Sequence, residues 1–377
     1  MIARLRLVTG LAALLIAALC IAAPVRADDL STLEPIAPHL TAIAISSDSR
    51  YLAAASSRGW LSIWNLETGM PVRSFKAHDD DILLLNFTYR DEALLSGGDD
   101  KTAKLWRVPD FTNITTLEAR EHVTGGIVTH DGSKALIGLW DGTVDVHDLV
   151  NGEQLASFRA HIFGRVMFEM APDGKTFATA GSDQTIRLWD TKTLKQIRYF
   201  ENGDFGIKAH KGIPYGLKFL GDDRLLSSAS RGISPLNHIV LWDIATGTRL
   251  KHLEGVTGQA GVAVSADRTR MAFADHHQHI LQAFIYNIPE WRQERVIPLP
   301  EIVKMLTMTP NGRLLITGSA GGRVGFRDAA TGKLLISAWA RFDQAFGAEQ
   351  PDLSVIEGPA GAAVLARTLA PYLAGMN

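Results

Sequence analysis

Cysteine is almost absent from this 377-residue chain, and its scarcity limits the chemistry that the protein can perform. The single cysteine, Cys20, lies in an apolar run near the N-terminus. Once that run is removed, the chain can form no disulfide, no thiolate metal site and no thioether link to haem. Such a protein must be stabilised by its hydrophobic core alone.

The sequence also lacks any cluster of lysines and arginines and any excess of positive charge. It contains 38 basic and 40 acidic residues, so the net charge at pH 7 is -2 with the histidines neutral. A nucleic-acid-binding domain usually presents a basic patch to the phosphate backbone. We therefore expect no nucleic-acid partner.

Several catalytic motifs are absent as well. The chain has no glycine-rich phosphate-binding loop, no H-E-x-x-H zinc motif and no G-x-S-x-G nucleophile motif. The stretch Gly318–Gly322 is rich in glycine, but its place in a repeated turn indicates a structural role. These absences favour a protein that is not an enzyme and needs no cofactor.

The first 27 residues have the composition of a secretory signal peptide. Arg4 and Arg6 supply a positive start, and an unbroken apolar run follows from residue 11 to residue 23. Val25-Arg26-Ala27 then places small residues where a signal peptidase cleaves. A lipoprotein is less consistent, since Leu19 rather than a small residue precedes Cys20, and the cleavage site argues against a retained anchor. We expect a mature bacterial protein in the periplasm or secreted, without a membrane span.

The most regular feature of the remaining chain is a repeated hairpin pattern. Its clearest copy, Phe177–Asp190, combines a small apolar strand, a polar turn and a strand of alternating residues. The last position of this second strand recurs along the chain at Trp64, Trp106, His147, Trp189, Trp242, Tyr286 and Arg327. A period of about 40–45 residues is typical of the four-stranded blades of β-propellers.

Short flanking signals accompany each copy of the pattern. A tight turn containing glycine follows most of the marked positions, as glycine readily adopts positive φ. A dipeptide that ends in histidine then opens several of the next units: Ala77-His78, Glu121-His122, Ala160-His161 and Ala209-His210. Together these features resemble the WD40-repeat family over about 39–340.

The resemblance implies an all-β fold, a seven-bladed propeller with four antiparallel strands per blade. The seven units are 39–76, 77–120, 121–159, 160–208, 209–254, 255–298 and 299–340. Propellers of this family commonly close by mixing strands from both termini, and residues 28–38 could supply a closing strand. Residues 341–377 form a C-terminal extension, with a short helix predicted over Ala360–Leu373.

The family resemblance also implies a hydrogen-bond network inside individual blades. Two blades contain its full set of histidine, hydroxyl, aspartate and tryptophan: His78, Ser96, Asp100 and Trp106 in blade two, and His161, Thr179, Asp183 and Trp189 in blade four. A Ser–His–Asp set also suggests a hydrolase. Its repetition favours a structural role instead, because one catalytic site is not normally needed in several blades.

The other blades depart from this pattern. Blade three keeps His122 and Asp141, but Ile137 and His147 replace the hydroxyl and the tryptophan. Blade one has Arg58 in the aspartate position, and blade seven has Gly321 there and Arg327 in the tryptophan position. The departures weaken the predicted network in those blades and leave the fold prediction unchanged.

The turns between second and third strands should emerge on one face of the propeller, which the family commonly uses for partners. Candidate contact residues in these turns are Arg58, Trp60, Lys101, Trp140, Gln184, Arg231 and His238. Tryptophan and arginine often anchor interfaces, although single exposed aromatic side chains are ordinary. We predict a monomeric, non-enzymatic periplasmic scaffold or accessory factor that binds protein. The alternative is a periplasmic enzyme or redox protein with a site in the central channel.

One histidine-rich stretch suggests a different function. Asp275, His276, His277 and His279 could ligate zinc or copper, with His238 as a further ligand. Consecutive side chains diverge in a β-turn, and the spacing matches no metal motif. A polar surface turn that responds to pH is therefore the alternative.

Overall fold

The computed structural model describes residues 39–201, 208–230, 239–253, 260–277, 280–319, 322–339 and 358–374. Within these ranges the chain forms seven sheets, each of four antiparallel strands in consecutive order. Each sheet is one blade. The predicted seven-bladed propeller with four strands per blade is therefore confirmed.

The strands follow the repeat units closely. Blades one to four contain β1 Leu40–Ile45, β2 Tyr51–Ser56, β3 Trp60–Asn65, β4 Pro71–Lys76, β5 Ile82–Phe87, β6 Ala93–Gly98, β7 Thr102–Arg107, β8 Asn113–Glu118, β9 Val123–Val128, β10 Lys134–Leu139, β11 Thr143–Asp148, β12 Gln154–Arg159, β13 Val166–Met170, β14 Thr176–Gly181, β15 Ile186–Asp190 and β16 Gln196–Tyr199. Blades five to seven contain β17 Pro214–Phe219, β18 Arg224–Ala229, β19 Ile239–Asp243, β20 Arg249–Leu253, β21 Val262–Val264, β22 Arg270–His277, β23 Ile280–Asn287, β24 Arg292–Pro298, β25 Val303–Met308, β26 Leu314–Ser319, β27 Arg323–Asp328 and β28 Leu334–Trp339.

The first strand of each blade lies at the inside of the ring. Each first strand contacts the first strands of both neighbouring blades, and β25 contacts β1. The second strands are the most buried, and β2, β6 and β26 are buried along their whole length. The fourth strands, such as β4 and β12, are largely exposed. Burial therefore falls from the inner half of each blade to its outer edge.

Small residues in the second strands allow neighbouring blades to approach closely. A Cβ added at Gly97 would lie 2.6 Å from the Cγ1 of Val123 in the next blade. A Cβ at Gly138 would lie 2.6 Å from the ring of Phe168. Side chains at these two positions would push blades two, three and four apart.

A register shift marks the same position in all seven blades. Between the third and fourth strands, the pairing shifts immediately before Trp64, Trp106, His147, Trp189, Trp242, Tyr286 and Arg327. These are the residues that mark the repeat in the sequence. A bulge bends the strand and increases its twist. The repeated positions therefore share a backbone irregularity as well as, in most blades, an aromatic side chain.

The described strands of the first and last blades each come from one end of the chain. Blade one contains β1–β4 and blade seven contains β25–β28, so no described blade combines strands from both ends of the chain. Leu334–Trp339 supplies the outer strand of blade seven. Residues 28–38, the proposed closing strand, lie outside the described residues.

A C-terminal helix, α1 (Gly358–Leu373), covers the junction between blades one and seven. Leu365 and Leu369 are buried in one cluster with Leu66 of blade one and Leu314 of blade seven. The Tyr372 hydroxyl donates a hydrogen bond to Asp328 (3.0 Å). In the described part of the chain, α1 therefore links blade one to blade seven through these contacts. No described helix has the length and apolarity needed to cross a membrane.

Shortening a buried side chain of α1 should weaken this junction. We expect Leu369→Ala, at a position that is 0% exposed, to lower the free energy of unfolding by about 2–4 kcal/mol through the cavity it leaves. Val364→Ala on the same helix, where the side chain is exposed, should change it by less than about 0.5 kcal/mol. Urea denaturation measures both, and equal effects would show that the helix does not bind the junction.

Candidate functional site

Blade four contains a continuous hydrogen-bond chain of buried side chains. The Trp189 indole N–H donates to the Thr179 hydroxyl oxygen (2.8 Å), which lies 2.9 Å from Nε2 of His161. Nδ1 of the same ring lies 2.9 Å from Oδ1 of Asp183. A proton on Nδ1 lets His161 donate to the carboxylate and accept the Thr179 hydroxyl proton at Nε2. Every member of the predicted set is therefore brought together.

Blade two has the same arrangement. The Trp106 indole N–H donates to Ser96 Oγ (2.8 Å), and His78 Nε2 lies 2.7 Å from that oxygen. His78 Nδ1 lies 3.0 Å from the Asp100 carboxylate. The two blades thus satisfy their buried polar groups in the same way.

Blade five contains a third set that the sequence pattern did not reveal. The Trp242 indole N–H donates to Ser227 Oγ (2.7 Å), and His210 Nε2 lies 2.7 Å from the same oxygen. The hydroxyl and the tryptophan are ten residues apart in blades two and four, but an insertion separates Ser227 from Trp242 by fifteen. The irregular interval concealed the set.

These sets do not present an accessible nucleophile. Ser96, Thr179 and Ser227 are 0% exposed, and each hydroxyl already accepts an indole N–H. A catalytic hydroxyl must reach both its base and the substrate. The geometry supports a role in holding each blade together.

Burial and charge interactions within the sets shift the pKa values of Asp100, Asp183 and His161. Burial opposes ionisation of Asp183, but its hydrogen bond and Coulomb attraction to His161 outweigh that effect and hold its pKa well below the usual range. Asp100 has a similarly low pKa, where burial is outweighed by His78. Burial lowers the pKa of His161, and Asp183 only partly offsets the effect.

These shifts predict destabilisation in acid. In the unfolded chain His161 binds a proton near pH 6.5, above its pKa in the folded protein, so stability is complete above that pH and falls as pH decreases. Asp100 and Asp183 ionise near pH 3.8 when unfolded and below it when folded, so a second loss begins near pH 4. Urea denaturation between pH 7 and pH 3 should show both losses. His161→Asn should flatten the first one, and stability that rises between pH 7 and pH 5 would contradict the assignment.

Blade three retains the histidine and the aspartate of the pattern but does not bring them together. His122 Nδ1 lies 3.2 Å from Oδ1 of Asp99 in blade two, whereas Arg120 Nη2 lies 3.3 Å from Asp141. The sequence left the network of blade three in doubt, and His122 and Asp141 do not form it. The links also differ in length: β9 begins directly after His122, whereas three residues separate His78 from β5 and four separate His161 from β13.

The clearest exposed feature lies on the face that carries the turns between second and third strands. Trp140, in the β10–β11 turn, is 54% exposed, and Ile162 and Phe163, in the link from blade three to blade four, are 65% and 57% exposed. The Gly164 N–H donates to the Trp140 carbonyl (2.6 Å), which joins the turn and the link. We call Trp140, Ile162 and Phe163 the exposed apolar group.

The sequence predicted only Trp140 of this group. Ile162 and Phe163 directly follow the histidine of blade four, a place where blade two has Asp79 and Asp80. That contrast between repeats could have indicated an exposed apolar site, because blade four has two large apolar residues where blade two has two aspartates.

The other predicted contact residues differ in their surroundings. Arg58 and Lys101 are exposed at turn positions with φ of 67° and 63°, and Gln184 is half-buried with φ of 70°. Trp60 is also half-buried, because it packs against the hydrophobic cluster shared by blades one and seven. Trp60 thus contributes to the core as well as to the surface. Arg231 and His238 lie outside the described residues.

The histidine-rich stretch is not the five-residue turn that was expected. Strand β22 continues through His277 and β23 begins at Ile280, with Asp275 paired to Gln282 and His276 paired to Leu281. The hairpin of blade six is therefore longer than the others, with eight residues in each of its two strands. His279 lies outside the described residues, and the described part of the chain contains no group of three metal-ligating side chains suited to an ion.

An ion pair lies between the inner strands of blades four and five. Lys218 Nζ on β17 is 2.8 Å from Oε2 of Glu169 on β13. Burial raises the pKa of Glu169, and Lys218 partly offsets this effect. The two charges compensate each other and link the blades.

Fold and contacts together define a seven-bladed β-propeller in which histidine–hydroxyl–tryptophan sets hold single blades together. Three segments match the family model described as WD domain, G-beta repeat: residues 30–65, 69–107 and 152–190. The second and third segments each begin at the outer strand of one blade and end with the third strand of the next. The chain therefore contains WD40 repeats.

Known proteins with such repeats resemble parts of the chain. Angio-associated migratory cell protein of Homo sapiens is 28% identical over 164 residues, which is 43% of this chain and 37% of that protein. Periodic tryptophan protein 2 of Arabidopsis thaliana is 26% identical over 243 residues, which is 61% of this chain and 25% of that protein. The chain thus covers well under half the length of these relatives.

Two solved structures share the fold. The β-propeller domain of Cps50 (Swd1) from Myceliophteria thermophila superimposes with a TM-score of 0.65 at 18% identity, over 78% of this chain and 98% of that chain. A structure of U3-55K gives a TM-score of 0.64 at 16% identity, over 77% of this chain and 90% of that chain. At these identities the similarity concerns the fold.

Proposed function

We propose that this chain is an exported, non-enzymatic module that binds a protein partner through the exposed apolar group. The observation that carries the proposal is the adjacency of Trp140, Ile162 and Phe163, each more than half exposed. Contiguous exposed apolar side chains in a folded protein commonly mark an interaction site, whereas single ones are ordinary. Tryptophan in particular is enriched among residues that dominate binding energy.

Acidic side chains of blade two lie on the same face as the exposed apolar group. Asp79 and Asp80 are exposed in the link before blade two, and Asp99 lies in the adjacent turn. Burial raises the pKa of Asp99, His122 lowers it, and repulsion from Asp80 and Asp81 raises it further. Arg159 Nη1 donates to the Ile162 carbonyl (2.9 Å), so charges of both signs lie on this face and the apolar side chains define the contact.

The composition of residues 1–27 supports the exported part of the proposal. Expressed with its own N-terminus in a Gram-negative host, the protein should appear in the periplasmic fraction with Asp28 as its first residue. Arginines at Leu14 and Leu15 should keep the full-length chain in the cytoplasm, because they interrupt the apolar run. Mass spectrometry of each fraction measures the outcome, and a full-length wild-type chain in the cytoplasm would contradict export.

Quantitative capture from periplasmic extract tests the binding part of the proposal. The wild-type protein and a Trp140→Ala/Phe163→Ala variant serve as baits at equal concentration. The wild-type bait should retain a partner that the variant loses. Identical capture by both baits would refute the assigned surface.

A further inference from the structure

Two polar side chains lie on the inner strands next to the exposed apolar group. Arg165 directly precedes β13 and Tyr215 is the second residue of β17, the inner strand of the adjacent blade. Strand order is consecutive and antiparallel, so each inner strand starts at the face that carries the links between blades. Arg165 follows Phe163 by two residues, which places their Cα atoms at most about 7 Å apart. The pair therefore adjoins the proposed binding surface.

The backbone of Arg165 is held in place while its guanidinium is available. The Arg165 N–H donates to Ser182 Oγ (3.1 Å) in the turn between β14 and β15. No hydrogen bond or ion pair engages the guanidinium among the residues that the structure describes. Arg159, by contrast, donates from Nη1 to the carbonyls of Asp141 (3.0 Å) and Ile162 (2.9 Å). Arg159 thus holds the link, and Arg165 can bind a further group.

Arg165 lies in a concave part of this face. Its side chain is exposed to solvent, yet burial lowers the pKa of its guanidinium, an effect that Tyr215 partly offsets. A group that solvent reaches while protein surrounds it lies in a recess of the kind that ligands occupy. Tyr215 is half-buried, and within the described ranges its hydroxyl has no hydrogen-bond partner. A charge contact in such a recess is screened less than one on open surface.

Two carboxylates on the same structural elements already have cationic partners. Glu169, further along β13, lies 2.8 Å from Lys218 Nζ. Asp183, in the β14–β15 turn, lies 3.3 Å from Arg187 Nη2. Neither forms a hydrogen bond or ion pair with Arg165. An anionic group that binds Arg165 would therefore come from another molecule.

The donors of this pair indicate the chemistry of that group. A guanidinium presents N–H donors in a planar fork and a phenol adds an O–H, so together they suit an acceptor with two anionic oxygens. An unmodified polypeptide supplies such an acceptor in the carboxylate of aspartate or glutamate. We propose that Arg165 and Tyr215 bind an acidic side chain of the partner whose apolar side chains cover the exposed apolar group. This inference rests on the proposed function, because it concerns the same partner.

Random peptides displayed on phage test this recognition on the full chain. Peptides enriched on wild-type protein should combine large apolar residues with an aspartate or glutamate at a fixed spacing. Selection on Arg165→Met should lose the acidic position and keep the apolar ones, and Trp140→Ala/Phe163→Ala should enrich neither. Apolar enrichment on wild-type protein without an acidic position would overturn this inference alone. Absence of any enrichment that depends on Trp140 and Phe163 would overturn the proposed function as well.

Binding of one enriched peptide and of its counterpart with an amide in place of the acid isolates the charge contact. Wild-type protein should bind the acidic peptide about tenfold more tightly, whereas Arg165→Met should bind both equally. Tyr215→Phe should reduce the preference by a smaller factor, because it removes one hydroxyl donor. Arg90→Met, at an exposed arginine in the β5–β6 turn of the opposite face, should keep the full preference. A preference for the acid that persists in Arg165→Met would overturn the assignment.

Discussion

Replacing Trp242 with alanine is expected to lower the free energy of unfolding by about 3–5 kcal/mol. The side chain is 0% exposed and packs edge-on against Phe200, with ring centroids 6.0 Å apart. Its removal leaves a cavity and takes a donor from the hydroxyl of Ser227, which is itself fully buried. Leaving a buried polar group unsatisfied adds to the cost.

Urea denaturation of the Trp242→Ala variant measures this effect directly. The matched control is Trp140→Ala, which removes the same side chain from a 54% exposed position and should change stability by less than about 0.5 kcal/mol. If Trp242→Ala costs no more than the control, the His210–Ser227–Trp242 set does not hold blade five together.

Removing the exposed apolar group is expected to weaken partner binding about 30-fold or more. This factor corresponds to a loss of about 2 kcal/mol, the value that marks a dominant interface residue. Trp140→Ala/Phe163→Ala removes two large side chains that are more than half exposed in the free protein. The loss should appear mainly as faster dissociation, because substitutions within one interface chiefly change that rate.

A control on the opposite face separates specific binding from general stickiness. Val150, in the turn after β11, is 91% exposed, and Tyr89 is 54% exposed beside the stacked ring of His130. Tyr89→Ala/Val150→Ala removes a comparable exposed apolar area from that face. We expect partner affinity within about twofold of wild type, since these positions lie outside the proposed surface.

The fold could be predicted from the sequence because one backbone unit recurs at a nearly fixed interval. Trp64, Trp106 and Trp189 mark that interval, and the structure shows that each follows the same register shift. Ring closure was not predictable in the same way. The packing of Leu365 and Leu369 against two distant blades leaves no periodic signal.

The hydrogen-bond sets were predictable only where the spacing was regular. The complete sets of blades two and four follow one interval, whereas the insertion before Trp242 hid the set of blade five. In blade three, His122 matches the residue type, but its Nδ1 lies beside Asp99 of blade two. Residue type alone therefore did not decide whether a blade forms the network.

The exposed apolar group shows why surface function is harder to infer. Trp140 was recognisable as a tryptophan in a turn, but Ile162 and Phe163 have the composition of a buried strand. The hydrogen bond from the Gly164 N–H to the Trp140 carbonyl joins their link to the turn that carries Trp140. Only the three-dimensional arrangement shows that these residues adjoin.

The most direct test of binding through the exposed apolar group compares capture and stability on the same protein samples. Wild-type and Trp140→Ala/Phe163→Ala baits are incubated with periplasmic extract, captured proteins are quantified by mass spectrometry, and Tm is recorded for each bait. Our account predicts loss of the partner from the variant while its Tm stays within about 2 °C of wild type. Undiminished capture by a variant of unchanged Tm would contradict it.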